Sequence, residues 1–214
     1  MYLSRIRLNE KKRDTQAALD SPSKFHGAVE RCFDAREDRK LWRIDTLHDA
    51  YYLLILSPGK PELTEIKRQF GFPGEGDQIK SYDAFLDSIR QGSIWQFRLA
   101  ANPVNSVPQG NGKRGKVVAH VSEKYQMEWL RKKAEKNGFT VISDGPCVIR
   151  SGWKIFQKKD GMTVRIKEVI YQGILRVDDI ERFKQALISG IGREKAYGMG
   201  LLTIMRAGGI TSGD

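Results

Sequence analysis

Apolar and polar positions alternate from Met1 to Leu8, with Tyr2, Ser4, Ile6 and Leu8 on one side and Leu3, Arg5 and Arg7 on the other. A period of two predicts a half-buried strand. A polar segment follows, and Ser21-Pro22-Ser23 then offers a capping hydroxyl with proline in a first helical turn. Phe25, Ala28, Val29, Cys32 and Phe33 fall at helical spacing behind it. Leu41–Thr46 and Tyr51–Leu56 read as two strands joined by a short turn, and Pro61–Phe70 as a helix. Residues 71–92 read as irregular with one short helix, and Ile94–Ala101 as a strand. The order is β-α-β-β-α-β, the ferredoxin-like pattern.

Asn102–Lys116 holds two prolines, three glycines and no long apolar run, which makes it the natural linker. Beyond it, Glu123–Asn137 reads as a helix with Tyr125, Trp129, Leu130 and Ala134 toward a core and basic residues opposite. Phe139–Arg150, Trp153–Lys159 and Met162–Val177 read as strands, the last two joined across Lys158-Lys159-Asp160-Gly161. An Asp-Gly apex is a hairpin signal. Asp178–Ser189 reads as a helix and Leu201–Met205 as a closing strand. The fold class expected is therefore α+β with two tandem ferredoxin-like units. They are placed at 1–102 and 117–214, with 103–116 as a linker and basic loop. No sequence repeat supports the doubling.

Charge changes the picture. The net charge of +11 is unevenly spread: residues 1–107 carry 17 basic and 15 acidic side chains, residues 108–214 carry 20 and 11. Within 113–167 the tally is 14 against 5. A concentrated excess suits a polyanion, because each neutralised phosphate releases condensed counterions; a solvated face of a basic protein is the plainer explanation. The longest apolar run, Tyr51–Leu56, is far too short to cross a bilayer, no basic amphipathic helix suggests a membrane surface, and a cytoplasmic protein is expected. Cys32 and Cys147 stand far apart, outside any zinc-ligand spacing, and no disulfide framework is expected.

Three histidines are present. His48 lies in a turn beside Asp49, and His120 near Lys116 reads as structural, though close enough to basic residues to meet RNA. His26 lies in the first turn of a helix, where free N–H groups and the dipole favour a nearby phosphate. An imidazole, with an ordinary pKa of roughly 6.5, can both take and give a proton near neutrality. Metal-dependent nucleases need convergent carboxylates. Asp34, Glu37 and Asp38 come nearest to such a cluster, but Arg36, Arg39 and Lys40 interleave with them as on a solvated face. No metal or other cofactor is therefore expected. RNA carries its own nucleophile, the 2′-hydroxyl, so orientation, proton transfer and charge stabilisation would suffice.

The most distinctive stretch is Gly190-Ile-Gly192-Arg-Glu-Lys195-Ala-Tyr-Gly198-Met-Gly200-Leu-Leu. It follows a helix and precedes a strand, the reverse of the nucleotide-binding glycine motifs. One explanation is a tight connection with glycines at positive φ. The other is close approach to a phosphate backbone by Arg193, Lys195, Gly198 and Gly200.

At this point the chain resembles the CasE family of CRISPR-associated endoribonucleases along its whole length. The resemblance rests on Met1-Tyr-Leu-Ser, Leu41-Trp-Arg43, Phe97-Arg-Leu99 running into Ala101-Asn-Pro103, Gly112-Lys-Arg114, Trp129-Leu130, Tyr171-Gln-Gly173 and the glycine-rich run. It implies tandem RRM-like domains that bind the repeat stem-loop of a CRISPR transcript. Metal-independent cleavage at the 3′ base of the stem would leave 5′-hydroxyl and 2′,3′-cyclic phosphate ends. The enzyme would stay on the mature crRNA beside other Cascade subunits. His26 matches the family's catalytic histidine, and Lys158 and Lys159 match a hairpin that grips the stem, with Arg165 and Lys167 behind them. Lys113 and Arg114 match a basic loop, and Arg31 lies where some members carry a lysine. Some members place a tyrosine three residues before the histidine; here Ser23 stands there, so that pair is not carried over, and Lys24 or Arg31 is expected to assist. The alternative is a non-catalytic tandem RRM-like protein for structured RNA.

Overall fold

The computed structural model describes residues 1–34, 39–110, 115–142, 147–158 and 160–206. In the first half, β1 (Tyr2–Arg7), α1 (Arg13–Asp20), α2 (Ser23–Glu30), β2 (Leu41–Leu47), β3 (Ala50–Ser57), α3 (Thr64–Phe70), β4 (Gln78–Ser81) and α4 (Asp83–Ser88) follow in order. The sheet order is β2-β3-β1-β4, every neighbour antiparallel. That is the ferredoxin-like arrangement, and β4 is the strand that closes it.

The second half runs β5 (Ile94–Ala101), β6 (Val104–Val107), β7 (Lys116–Ala119), α5 (Glu123–Lys136), β8 (Phe139–Val141), β9 (Val148–Gln157), β10 (Thr163–Val177), α6 (Ile180–Ser189) and β11 (Leu202–Arg206). Its sheet order is β11-β5-β10-β8, with β9 paired to the outer length of β10. Without β6, β7 and β9, this is the same ferredoxin-like order again. Two tandem ferredoxin-like units are therefore present, as expected, but the seam between them lies elsewhere.

Ile94–Ala101 was expected to close the first unit. It pairs with β10 and β11 and opens the second. An alternating strand states that one face is buried, not which sheet supplies its neighbours. The true closing strand, Gln78–Ser81, is four residues long and mostly exposed, so it carries almost no apolar signal. The expected linker is likewise part of the second unit: β6 and β7 pair across it as a hairpin between β5 and α5. Helix α1 was expected to be a polar segment, since only Thr15 and Ala18 on it are buried.

Tyr51–Leu56 is a continuous apolar run for a reason. Leu53 and Ile55 face α1–α3 in one core, while Leu54 and Leu56 pack toward α4 and the second unit in another. A strand covered on both faces loses its alternation. His48 and Asp49, both at positive φ, make the two-residue turn between β2 and β3.

One buried charge fastens the two units. Arg43 on β2 is 2% exposed. Its guanidinium donates to the carbonyls of Arg98 and Leu201 at 2.9 and 2.7 Å, to the Thr203 hydroxyl at 2.8 Å, and to both oxygens of Asp45 at 2.8 and 2.6 Å. Such a charge is tolerable because its donors are matched by acceptors.

Candidate active site and nucleic-acid interface

Helix α2 presents His26 on its outer face while Phe25, Ala28 and Val29 anchor the inner one. Ser23, His26 and Glu30 recur at three- and four-residue spacing and so share that outer face. The imidazole is 42% exposed, and its Nδ1 lies 3.9 Å from Glu30 Oε1. The other oxygen of Glu30 is 3.4 Å from Lys40 Nζ, on a side chain only 1% exposed and seated over the Phe33 ring. A buried lysine thus holds the carboxylate that faces the histidine. Sequence reasoning missed Glu30 and Lys40, although the i, i+4 spacing of His26 and Glu30 was visible.

The assisting cations are placed differently. Arg31, five residues on from His26 and so well round the helix, donates Nη2 to Gln69 on α3 at 3.2 Å. Lys24 is exposed on the first turn. The Ser23 hydroxyl pairs with that of Ser21 at 3.1 Å. Cys32, behind the site, is inert: burial, then the Glu62 carboxylate, pushes its thiol up to about 12.

The glycine-rich run forms a turn around Lys195–Tyr197 that packs directly on α2 and β2. All four glycines have positive φ. A Cβ on Gly198 would stand 2.6 Å from the Trp42 ring, and one on Gly190 would stand 2.9 Å from Leu41. Packing alone therefore accounts for them, and Gly198 and Gly200 are buried rather than open to a ligand. The turn presents Arg193, which is exposed, and Lys195, which is partly so. Burial, with Arg39 and Lys133 nearby, lowers the Lys195 pKa.

Across a cleft from the start of α2 stand β9 and β10. Pro22, Phe25 and Trp42 line it together with Arg150, Lys154 and Tyr197, while His26, on the outer face of α2, lies outside its lining. Glu168, largely buried, pairs with Arg150 at 2.8 Å and Lys154 at 2.7 Å, fixing both at the base of the ribbon. Farther out, the Arg165 guanidinium stacks 4.2 Å from the centre of the Trp153 ring. Lys167 is covered by that same ring and is 7% exposed, so it presents little to a ligand. At the tip, Lys158 N–H donates to Met162 O at 2.9 Å and Gly161 has φ of 80°, closing the expected hairpin turn. Lys159, Lys113 and Arg114 lie outside the described residues, as do Glu37 and Asp38 beside Asp34. Among the described residues no helix is long and apolar enough to cross a membrane.

Residues 1–206 match the family model described as CRISPR associated protein. The CRISPR-associated endoribonuclease Cse3 of Thermus thermophilus is 26% identical over 95% of this chain and 99% of its own. The Cascade subunit CasE of Escherichia coli is 31% identical over 50% of this chain and 56% of its own. Among solved structures, Cse3 bound to a 19-nucleotide RNA superposes with a TM-score of 0.78 at 24% identity, covering 96% of this chain and all of that one. The CRISPR-associated protein Cas6e from E. coli superposes at 0.67 with 21% identity, over 97% of this chain and all of its own.

Proposed function

We propose that this chain, which belongs to the CRISPR-associated protein family, is an endoribonuclease that binds a CRISPR repeat hairpin and cuts the precursor RNA at the 3′ base of its stem. One observation carries the reading. The start of the helix that bears a half-exposed histidine lines the same cleft as Arg150 and Lys154, which Glu168 fixes at the root of a two-stranded ribbon.

The ribbon of β9 and β10 supplies affinity. Lys158, Lys159 and Arg165 reach phosphates of a stem whose deep groove is read by shape and backbone rather than base edges. Arg193 and Lys195 hold the strand that enters the cleft, and Lys113 and Arg114 extend the same grip. Gly198 and Gly200 act by shaping the turn. His26 then meets the scissile phosphate. Glu30 opposite Nδ1 favours the tautomer with the proton there, which leaves Nε2 toward the substrate.

In the reaction the 2′-oxygen bonds to phosphorus as the P–O5′ bond breaks. The 2′-hydroxyl loses its proton and the departing 5′-oxygen gains one. His26 handles a proton of this exchange, while Lys24 or Arg31 offsets the charge that builds on the phosphoryl oxygens. The products are a 2′,3′-cyclic phosphate and a 5′-hydroxyl. Named relatives act as a Cascade subunit and occur in a CRISPR RNA-guided surveillance complex, and this chain takes the same place, retaining its hairpin.

The test is incubation with a cognate repeat RNA, with and without EDTA, and with a 2′-deoxy nucleotide before the cut. Cutting that ignores EDTA and stops on the deoxy substrate is expected. Cutting of the deoxy substrate would rule out 2′-hydroxyl attack, and binding without turnover would leave a non-catalytic RNA-binding protein.

A further inference from the structure

Beyond the cleft, the second unit carries another built depression. Helix α5 and the β6–β7 hairpin enclose two adjoining hollows of about 450 and 140 Å³. They share Val104, Asn105, Trp129 and Lys133, so they form one groove. At its outer end the Tyr125 ring, 53% exposed, lies nearly parallel to His120 at 5.9 Å between centroids. Along its side Lys132, Lys133 and Lys136 line up on α5, Lys133 sitting 5.7 Å over the Trp129 ring. Its inner end reaches Asn102 and Arg193. Asn102 is 7% exposed, and its Oδ1 has no hydrogen-bond partner among the described residues. A buried acceptor left without a donor is costly, which points to a ligand that brings one.

We propose that this groove holds a single-stranded RNA segment flanking the hairpin and leads it to the glycine-rich turn beside His26. An open aromatic face accepts a base only when that base is unpaired, and the lysines track the backbone. A ribose hydroxyl or an exocyclic amine supplies the donor that Asn102 lacks. The lysine row is not neutralised along its length: Glu128 pairs with Lys132 at 2.6 Å and leaves Lys133 and Lys136 to the ligand. Where the groove meets the turn, Lys195 has its pKa lowered first by burial and then by Arg39 and Lys133, which stand near it. Continuity through Arg193 into the turn packed on α2 makes the occupant a flank of the RNA being cut. The inference rests on the proposed function in that respect.

The experiment measures binding of four RNAs: a bare hairpin, the hairpin with about eight unpaired nucleotides on its 5′ or its 3′ side, and that single strand alone. Wild-type protein is compared with the double variant Tyr125→Ala, Lys133→Ala, and with the charge reversal Lys136→Glu. One flank is expected to raise wild-type affinity about tenfold, the worth of one stacked base. Both variants should lose that gain and keep wild-type affinity for the bare hairpin. The proposal is overturned if neither flank helps, if the variants weaken the bare hairpin equally, or if polyglutamate displaces the single strand, which would make the groove an acidic-peptide site. Cutting is scored on the same samples. A flank-dependent gain lost in the variants, with no hairpin cut by wild type, would uphold the groove and remove the nuclease reading. Normal cutting without any flank effect would do the opposite.

Discussion

The two ferredoxin-like units share one strand order and spend it differently. The first sheet is covered on both faces, by α1–α3 on one side and by α4 and the second unit on the other. Its residues, 1–93, carry 16 basic and 15 acidic side chains. The second unit lets β10 run to 15 residues, far past its sheet neighbours, so that the excess pairs with β9 as a two-stranded ribbon seated on Tyr197 and Met199. Residues 94–214 carry 21 basic and 11 acidic side chains. The same topology thus makes a nearly neutral body that positions one histidine and a cationic one with an extended ribbon. A fold supplies a scaffold; the extension and the charge decide the task.

This division can be broken in order of effect. His26→Ala should lower the cleavage rate roughly 10²–10⁴-fold, the size of one proton-transfer group, and leave hairpin affinity in a gel-shift titration unchanged; an equal loss of binding would show that the units do not divide the work. Arg43→Leu removes the charge that joins them, takes two carbonyls' buried donor and leaves Asp45 to Arg98 alone, so urea unfolding should show a loss of about 3–5 kcal/mol. A single transition at wild-type stability would mean that apolar packing alone fastens the halves. Gly198→Ala should lower stability by about 1–3 kcal/mol, since its φ of 79° and the Trp42 ring both oppose a side chain; thermal unfolding checks this, and cleavage should suffer with it. Lys158→Ala with Lys159→Ala should weaken hairpin binding and reduce the slope of log affinity against log salt by about 2, with the rate at saturating RNA held. The smallest effect concerns Cys32. Because burial raises its pKa to about 12, the thiol stays protonated near pH 8, and iodoacetamide should label it only after unfolding.

Much of this division is written in residue types. The alternation of β1, the helical spacing behind Pro22 and the Asp160-Gly161 turn reported local structure because each depends on neighbours in sequence. The seam was illegible for the opposite reason. Whether Ile94–Ala101 pairs with β1 or with β10 is a contest between partners about 70 or more residues away, and its own pattern is the same in both outcomes. The site divides in the same way. His26 could be singled out from its helix start and the chemistry of imidazole. Lys40 could not, because a lysine 1% exposed under a carboxylate looks in sequence like one more member of a charged run. The four glycines were read as either packing or phosphate contact, and the ring of Trp42, far upstream, is what accounts for Gly198 by packing.

Arg43 and Leu201 are 158 residues apart. A ribosome adding roughly 5–20 residues per second needs roughly 8–30 s to pass from one to the other. At the end of that interval the nascent chain already holds His26 on its helix and Arg43 beside Asp45, yet the turn that packs on the helix has only just been made and the Thr203 acceptor is still to come. The surroundings of His26 are therefore finished last, after the β9–β10 ribbon has emerged. A polypeptide released early keeps Arg43 with part of its acceptors missing and leaves α2 without the turn that packs on it.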